Sequence, residues 1–454
     1  MHKDLRHIAF SLLESSQKKK ITLDRAIEDA RENLDRLSVQ DRSLCNAIVF
    51  GVLRHRGRLD QIIETFSKLP FQRLDRPVKT ILRMGIFQLV FLDRIPDFAA
   101  IHSSIELAKL KTNQKSCGFI NALLRKASDP GRAPALPDKK KQFIAYLKVA
   151  YSIQSWMGKR WTARFGKQRT QGLCAGLMEI PPITLRVNTL KSSPKDLSCD
   201  LSEHGIENTR TTVSKLGILI SKPGRSMADL PGFDHGHFQV QDEAAQLVTQ
   251  ILGPKPKERI LDACAGLGGK TCHIGQMMNN MGRITANDPD PGKLERLSTE
   301  AQRLGISIIE PESLDLVGSS VKNFNGYFDR VLVDAPCSGL GVMRRNPDTR
   351  WKRGLKDVQR MAGLQKKILN AAAGLVRPGG VLVYAVCSCE PEENEIIIDS
   401  FLKRRKDYLP DNQDFLSSLC EMSNSGSDFQ FKTYPCLTQM DGFFAARMRR
   451  RQAP

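Results

Sequence analysis

The chain has 454 residues, a length typical of about three domains, and its 41% of hydrophobic residues are enough to form proper cores. The 69 Lys and Arg residues outnumber the 49 Asp and Glu residues, and the resulting charge of +20 indicates a polyanionic partner, with nucleic acid favoured over a membrane surface. No apolar run approaches the roughly eighteen residues that span a bilayer, and the amino terminus lacks the apolar segment of a signal peptide. We therefore expect a cytoplasmic protein without a membrane partner.

The cysteines argue against a disulfide-stabilised or zinc-binding protein. Their number, eleven, is odd, and no two of them form a CxxC pair. This pattern predicts reduced thiols and no metal site of the usual zinc spacing. Any functional cysteine must therefore be identified from its own place in the fold.

The first half of the chain contains two different kinds of pattern. Residues 1–130 are predicted to be helical, because apolar residues recur at helical spacing in LRHIAFSLLESS, VKTILRMGIFQLVFLDR and AAIHSSIELAKLK. The segment 128–141 is rich in proline, glycine and charge and is the best linker candidate. Beyond it, the strand-like ITLRVNTL and LGILIS accompany a helical stretch, which predicts a small α+β domain. We expect three domains, at 1–135, 142–235 and 236–454.

From residue 236 onward, apolar strands alternate with helices. The predicted strands are RILDACA, GRITAND, ISIIEP, YFDRVLVDAP and GGVLVYAV. This alternation predicts an α/β fold with a doubly wound parallel sheet, which binds ligands beyond the carboxyl ends of its strands. Near the end of the chain, residues 410–429 are predicted to be a polar insertion.

A glycine-rich turn follows the first strand of this sheet in ILDACAGLGGKT, residues 260–271. Gly266, Gly268 and Gly269 permit positive φ and a close approach of the backbone to a ligand. Asp288 follows 22 residues after Gly266, where a carboxylate can accept both hydroxyls of a ribose. The pattern indicates a nucleoside-bearing cofactor, although a tight turn and a helix cap explain the same residues about equally well.

Two cysteines follow the carboxyl ends of strands that we expect to be neighbours. Cys337 lies in VLVDAPCSGLG and Cys387 in VLVYAVCSC, and Asp334 supplies a carboxylate beside the first. A single such cysteine is more often an inert core thiol, but two at one sheet edge favour chemistry. A thiolate that adds to carbon 6 of cytosine activates carbon 5 for methyl transfer. A carboxyl group that forms a hydrogen bond with the ring stabilises the adduct.

The motifs carry a specific resemblance. LDACAGLGGKT, DAPCSGLG, YAVCSCEPEENE and DGFFAARM resemble the motifs of the RNA 5-methylcytosine methyltransferases, and DAPCSGLGVMRRNPDTRW is similar to their bacterial 16S rRNA branch, called Sun, Fmu or RsmB. FGVLRHRGRLDQII and GFINALLRK resemble the NusB-like amino-terminal domain of this branch, and GHFQVQDEAAQLV its connecting region. The resemblance implies an all-α NusB-like domain, a small α+β connecting domain and a Rossmann-like S-adenosylmethionine-dependent methyltransferase domain.

The resemblance also implies roles for individual residues. Cys387 is the implied nucleophile, Cys337 assists release of the methylated product, and Asp334 contacts the base. Because DNA cytosine methyltransferases attack with the cysteine of a similar Pro-Cys, Cys337 remains the rival nucleophile. Lys270 is implied to approach the active centre. The residues implied to hold S-adenosylmethionine are Cys264, Ala265, Gly266, Leu267, Gly268, Gly269, Lys270, Asp288, Lys293, Asp315 and Asp334.

Four residues depart from the family pattern. Gly266-Leu267 stands where the family usually has Ala-Pro, Val386 where it has Thr, and Lys293 where it has Arg. All the chemically indispensable groups are kept, so these departures concern cofactor affinity more than reaction type.

The acidic residues after Cys387 have two interpretations. Glu392, Glu393 and Asn394 are predicted to cap and start the next helix rather than to act in chemistry. Glu393 and Asn394 also match family positions that hold the motif loop in place.

Basic residues after the Cys337 loop suggest contact with RNA. The segment RRNPDTRWKR contains five of them, and Trp351 is available for stacking. Without the family match, phosphate contact and an ordinary solvated charge run are about equally good explanations. Arg54, Arg56 and Arg58 in the amino-terminal helices are predicted to add RNA surface.

The favoured function is therefore methylation of cytosine carbon 5 in RNA, with 16S rRNA, naked or in an assembling subunit, as the partner of a monomeric enzyme. The main competitor is a non-catalytic RNA-binding or antitermination-like factor with a decayed transferase fold. Decay would be expected to damage Cys387, Cys337, Asp334 or the glycine loop, and all four are intact. An amino-group methyltransferase is less favoured, because Cys337 replaces the aromatic residue that follows its usual Asp-Pro-Pro.

Overall fold

The computed structural model describes residues 5–18, 21–221, 224–318, 325–423 and 427–452, apart from the side chains of residues 420–423. The chain forms two compact units. The helical unit comprises residues 1–180 and 343–353, and the α/β unit comprises residues 181–342 and 354–454. The three predicted domain boundaries stay a prediction.

The helical unit has the predicted all-α architecture. Ser38 Oγ accepts a hydrogen bond from the N–H of Asp41 at 3.1 Å and so caps the longest helix. The helices bury their apolar faces in one core that includes Ile48, Ile81 and Leu124. Its helices up to residue 180 are α1 (Leu5–Ser16), α2 (Leu23–Asp29), α3 (Arg31–Asp35), α4 (Val39–Phe66), α5 (Arg76–Phe91), α6 (Asp97–Lys111), α7 (Gln114–Ala127), α8 (Phe143–Ala150) and α9 (Ser155–Gly176).

The α/β unit begins with a small antiparallel sheet. Its strands are β1 (Ile183–Val187), β2 (Asn208–Arg210), β3 (Gly217–Ile220) and β4 (Phe238–Val240), in the order β2-β3-β1-β4. Helix α10 (Pro194–Glu203) packs on this sheet, and Leu197 and Leu201 share a core with Leu185 and Ile218. The predicted small α+β domain is therefore present.

A larger sheet forms the rest of the α/β unit. Its strands are β5 (Arg259–Asp262), β6 (Arg283–Asn287), β7 (Ile309–Glu312), β8 (Phe328–Asp334), β9 (Val376–Val386), β10 (Tyr408–Pro410), β11 (Gln430–Lys432) and β12 (Phe444–Arg450). The order is β10-β12-β9-β8-β5-β6-β7, and β11 also pairs with β12. The remaining helices in chain order are α11 (Glu243–Leu252), α12 (Gly269–Met277), α13 (Pro291–Leu304), α14 (Thr349–Lys352, part of the helical unit), α15 (Leu355–Leu375), α16 (Glu395–Arg404) and α17 (Asp414–Ser423).

Alternating side chains of the central strands enter two cores. Val331 and Tyr384 pack with Leu369 of α15, whereas Leu332 and Val383 pack with helices of the opposite face. Strands β5 to β9 pair in parallel, as predicted, and their carboxyl ends share one edge. The predicted parallel sheet also has an antiparallel part, because β12 pairs antiparallel to β9, β10 and β11. Antiparallel strands need no crossover helix, so the strand–helix alternation could not indicate them.

The polar stretch 410–429 is more ordered than the prediction of an insertion suggests. It contains helix α17, in which Leu416 and Leu419 are buried against Phe431. Residues 424–426 of this stretch lie outside the described residues. Within the described ranges, no helix is long and apolar enough to cross a membrane.

The basic segment after the Cys337 loop packs inside the helical unit. Arg344 and Arg350 are only 1% and 0% exposed. Arg350 donates to the carbonyl oxygen of Leu177 at 2.9 Å, and Trp351 Nε1 donates to that of Leu53 at 2.8 Å. These groups are therefore not available to RNA phosphates, and the segment is not a solvated charge run either.

The predicted RNA-binding arginines of α4 are also committed to internal contacts. Arg54 donates to the carbonyl oxygen of Arg344 at 2.8 Å, and the guanidinium of Arg56 lies 4.7 Å from the centre of the Trp351 ring system. Arg58 donates to Pro134 O at 2.6 Å. Burial lowers the pKa of Arg56 to about 10. Arg54 is buried and therefore not available to RNA, whereas for the half-buried Arg56 and Arg58 the added RNA surface stays a prediction.

A close backbone approach joins the loop after β8 to the start of β12. The N–H of Gly341 donates to Cys387 O at 3.0 Å, and the N–H of Gly442 donates to Gly341 O at 2.9 Å. A Cβ atom on Gly341 would overlap the carbonyl oxygen of Gly442. Glycine is therefore required here by space.

Gly341→Ala is expected to lower the free energy of unfolding by about 2 kcal/mol, because the two backbones must separate. Gly363→Ala is the matched control, since a Cβ at that exposed helical position meets no atom within 4 Å. Denaturant unfolding of both variants measures the difference. Equal stabilities of the two variants would show that the loops separate without cost.

Candidate active site

The glycine loop lies between β5 and α12, at the carboxyl edge of the large sheet. Gly266 and Gly268 have φ values of +56° and +83°, which residues other than glycine rarely adopt. A Cβ atom on Gly266 would meet nothing within 4 Å, so the backbone borders open space at this point. A Cβ atom on Gly268 would lie 2.6 Å from Leu297. The loop contains the predicted cofactor residues Cys264, Ala265, Gly266, Leu267, Gly268 and Gly269.

Asp288 and Lys293 lie beside this loop. Asp288 Oδ2 accepts a hydrogen bond from the N–H of Gly266 at 3.1 Å, and Lys293 Nζ lies 3.4 Å from Asp288 Oδ1. Asp315 follows β7 in a turn, and the N–H of the preceding residue donates to Asn287 Oδ1 at 2.8 Å. The structure therefore brings all three predicted residues to the same edge as the glycine loop.

A buried carboxylate that the sequence analysis did not single out, Asp262, ends β5. Its Oδ2 accepts a hydrogen bond from Thr271 Oγ1 at 2.8 Å, which links the strand to the first turn of α12. The residue is only 1% exposed. Burial raises the pKa of Asp262 to about 6, and the hydrogen bond from Thr271 opposes this effect only partly.

This raised pKa predicts a pH dependence of stability. Between pH 3.8 and about 6 the folded protein keeps a proton on Asp262 that the unfolded chain has lost, so stability falls as the pH rises through this window. The loss amounts to about 3 kcal/mol and is complete above the folded-state pKa. We expect Asp262→Asn to lack this decline in denaturant unfolding measured from pH 4 to 7. Parallel profiles of the variant and the wild type would contradict the assignment.

The two predicted thiols lie side by side. Cys337 Sγ and Cys387 Sγ are 3.3 Å apart, because β8 and β9 are parallel neighbours with Asp334 opposite Ala385. The hydrogen bond with Cys387, followed by burial, raises the pKa of Cys337 well above its usual range. Cys337 therefore keeps its proton, and either sulfur can donate in the hydrogen bond between the two thiols.

Lys270 and Asp334 form an ion pair next to the thiols. Lys270 Nζ lies 2.6 Å from Asp334 Oδ2 and 5.3 Å from the centre of the Phe443 ring. Burial lowers the pKa of Lys270, but the Asp334 carboxylate outweighs this effect and the net pKa is raised. An ionised Cys387 acts on Lys270 in the same direction. The site therefore holds a permanent ammonium charge close to a thiol.

A fully buried carboxylate, Glu393, connects the two cysteine loops. It accepts hydrogen bonds from Ser338 and Ser388, each of which directly follows one of the two cysteines. The two hydroxyl contacts are both 2.5 Å, and the N–H of Ser338 donates at 2.7 Å. Gln365 of α15 donates a fourth hydrogen bond at 3.1 Å. One carboxylate thus holds both loops in a common position.

The prediction that Glu392, Glu393 and Asn394 cap and start the next helix holds for the position of Asn394 but not for a side-chain cap. Asn394 is the N-cap residue of α16, but no side chain donates or accepts a capping hydrogen bond there. Asn394 Nδ2 instead donates to the carbonyl oxygen of Ser388 at 3.1 Å. The alternative interpretation, that these residues hold the motif loop, agrees with the geometry. The Cys-Ser pair that occurs in both motifs is the signal from which a shared partner could have been predicted.

Arg186 is a second residue that the sequence analysis missed. It is 1% exposed and lies in β1, and it donates to the carbonyl oxygen of Gly269 at 2.7 Å. It also donates to Gln239 at 2.8 Å and to Gln241 at 2.5 Å. Burial lowers the pKa of Arg186 to about 10. The small sheet is thereby tied to the first residue of the helix after the glycine loop.

Comparisons with known proteins agree with this architecture. Family models match in chain order: the NusB family at residues 3–129, the Methyltr_RsmF/B-like ferredoxin-like domain at 154–226, and 16S rRNA methyltransferase RsmB/F at 249–449. A Synechocystis protein, "Probable ribosomal RNA small subunit methyltransferase B", is 34% identical over 98% of this chain and 99% of its own length. A Bacillus subtilis protein of the same name is 33% identical over 91% of this chain and 92% of its own length. The chain belongs to the RsmB/F family of 16S rRNA methyltransferases.

Solved structures resemble this RsmB/F-family methyltransferase over most of its length. The crystal structure of PH0851 has a TM-score of 0.81 and 26% identity, and covers 99% of this chain and 98% of its own. A methyltransferase homologue from Pyrococcus horikoshii has a TM-score of 0.59 and 28% identity. The match covers 68% of this chain and 99% of the homologue. The predicted order of NusB-like, α+β and methyltransferase folds is confirmed. Among the described residues, no group of three or more His, Cys, Asp or Glu could hold a metal ion.

Proposed function

We propose that this chain methylates carbon 5 of a cytosine in 16S rRNA, with S-adenosyl-L-methionine as methyl donor and Cys387 as covalent nucleophile. The observation that carries the proposal is the pair of thiols 3.3 Å apart, beside the ion pair of Lys270 and Asp334. The printed names of the relatives from Synechocystis and Bacillus subtilis support ribosomal RNA as the substrate. We place the reaction in the cytoplasm and the enzyme as a monomer.

The glycine loop supports a nucleoside-bearing methyl donor. Open space borders the backbone at Gly266, and the Asp288 carboxylate with its Lys293 partner lies beside it. S-Adenosyl-L-methionine, when bound, supplies an electrophilic methyl group on a sulfonium sulfur. We assign Asp288 and Lys293 to the ribose and Asp315 to the adenine side. The loop residues 264–270, with Asp334 at the inner end, complete the binding site.

The electrostatics favour Cys387 over Cys337 as the attacking thiol. Cys337 holds its proton, because its hydrogen bond with Cys387 and its burial both favour the neutral form. Cys387 shares that hydrogen bond and lies near the ammonium group of Lys270, the kind of surroundings in which a cysteine attacks as a thiolate. Its sulfur adds to carbon 6 of the cytosine, and the electron pair of the ring double bond makes carbon 5 nucleophilic.

The remaining groups serve the ring and the release of product. Asp334, at the end of β8, hydrogen-bonds the cytosine and stabilises the adduct while Lys270 balances its charge. Release requires loss of the proton on carbon 5 and cleavage of the bond between Cys387 and carbon 6. We assign this step to Cys337, which loses its hydrogen bond with Cys387 once Cys387 is bonded to carbon 6 and then gives its own proton to water. As a thiolate it takes the proton from carbon 5, and the electron pair of that C–H bond re-forms the ring double bond and expels Cys387 as a thiolate.

The proposal is tested by incubating the chain with S-adenosylmethionine labelled in the methyl group and small-subunit rRNA, as free RNA and as immature subunits. Digestion of the RNA to nucleosides should place the label in 5-methylcytidine. Label in N4-methylcytidine would indicate an amino-group methyltransferase. No label in either substrate would favour the RNA-binding factor.

A further inference from the structure

A large share of the positive charge lies outside the segments that the sequence suggested for RNA. Residues 139–178 contain nine Lys and Arg residues and no Asp or Glu, so this segment alone supplies +9 of the net +20. Eight of the nine side chains are exposed, and Arg160 is half-buried. We call this set the basic face. Its members are Lys139, Lys140, Lys141, Lys148, Lys159, Arg160, Arg164, Lys167 and Arg169.

The fold concentrates the basic face on helices α8 and α9, which pack on each other. Lys167 Nζ lies 5.8 Å from the centre of the Phe143 ring, so the second half of α9 meets the start of α8. The lysine run 139–141 directly precedes that start. Asp138 accepts hydrogen bonds from the N–H groups of Lys140 and Lys141 at 2.7 and 2.9 Å, which fixes the run. Lys167 of α9 therefore lies near the lysine run 139–141, although the two are well separated along the chain.

Aromatic rings lie among these cations. The guanidinium of Arg164 is 4.7 Å from the centre of the Phe165 ring, and both Phe165 and Tyr146 are half-buried. Cations that follow a phosphate chain and partly exposed rings that accept a stacked base are the usual components of a surface for single-stranded RNA. By contrast, none of the large apolar side chains in residues 139–178, all of which the structure describes, is exposed. A helix that lies in a membrane surface needs such an apolar face.

We infer that the basic face binds the phosphate backbone of the RNA substrate. The inference rests on the proposed function for the identity of that RNA. It assigns the main RNA contact of the helical unit to the basic face and not to Arg54, Arg56 and Arg58, whose guanidinium groups contact other residues of that unit. Because its cations are exposed, they release condensed counterions when they contact phosphates, and the binding depends steeply on salt.

The test compares two full-length variants that lose the same number of exposed positive charges. The first carries K139Q, K140Q, K141Q, K167Q and R169Q in the basic face. The control carries K356Q, K367Q, K403Q, R404Q and K406Q in the α/β unit, all exposed as well. The dissociation constant for a transcribed small-subunit rRNA fragment is measured from 50 to 300 mM KCl, and methyl transfer is measured at saturating RNA.

We expect the basic-face variant to bind at least about tenfold more weakly near 0.1 M salt, and its slope of log K against log salt to fall by roughly 3, which corresponds to four or five lost contacts. The control should change less than about twofold, and kcat at saturating RNA should be kept in both. Equal losses in the two variants, or an unchanged slope, would overturn the inference.

Two further outcomes separate the alternatives. The first is that the basic-face variant binds phosphatidylglycerol vesicles more weakly than the wild type but binds RNA equally well. This result would assign the surface to a membrane and overturn the inference. A wild type that binds RNA through the basic face but transfers no methyl group would leave the inference standing and remove the proposed function.

Discussion

Cys387→Ala is expected to lower methyl transfer to cytosine by at least about 10⁴-fold, because carbon 5 is not nucleophilic until a thiolate has added to carbon 6. The binding of RNA should be unchanged, since the substitution removes one half-buried thiol and no positive charge. The measurement is the single-turnover rate with labelled donor and small-subunit rRNA. Cys389→Ala, two residues further along the chain, is the matched control and should stay within a few-fold of wild type.

The partner substitution, Cys337→Ala, separates attack from release. With Cys387 intact, the adduct should still form, and the variant should accumulate a covalent protein–RNA complex that survives denaturing electrophoresis. Its formation should require S-adenosylmethionine if methylation precedes the blocked step. If instead Cys387→Ala traps the complex and Cys337→Ala cannot form it, the two roles are reversed and Cys337 is the nucleophile.

Glu393→Gln is expected to lower the single-turnover rate by about 10²-fold, because the carboxylate sets the relative position of both cysteine loops. Glu393 accepts four hydrogen bonds, two of them from the hydroxyls of Ser338 and Ser388 at 2.5 Å. An amide of the same shape keeps one acceptor oxygen but presents N–H donors where the carboxylate had a second acceptor. The charge-assisted part of each bond, about 1.5–3 kcal/mol in such cases, is lost.

Glu392→Gln makes the same chemical change one residue earlier and serves as control for the Glu393 variant. A purely structural role would lower thermal stability in Glu393→Gln and leave the turnover of the folded fraction unchanged. A positioning role lowers kcat while the KM for RNA stays constant, and it slows both adduct formation and release. Wild-type turnover in a folded Glu393→Gln protein would refute the positioning role.

The sequence by itself determined the local features of this protein. Strands β5, β6, β8 and β9, the glycine loop and the positions of Cys337 and Cys387 follow from apolar runs, glycine spacing and short motifs. Parallel strands bring their carboxyl ends to one edge, so the approach of the two thiols was also predictable. These features depend on neighbouring residues in the chain, which is why pattern and propensity are sufficient to find them.

The tertiary structure decided which polar side chains are used and where. Glu393 and Ser338 are 55 residues apart, and no local pattern shows that one carboxylate joins both cysteine loops. Distant residues also decide the antiparallel pairing of β12 and the burial of Arg344 and Arg350, because both depend on which parts of the chain pack against them. A charged residue looks alike in sequence whether it is solvated or enclosed, because its burial is set by distant parts of the chain.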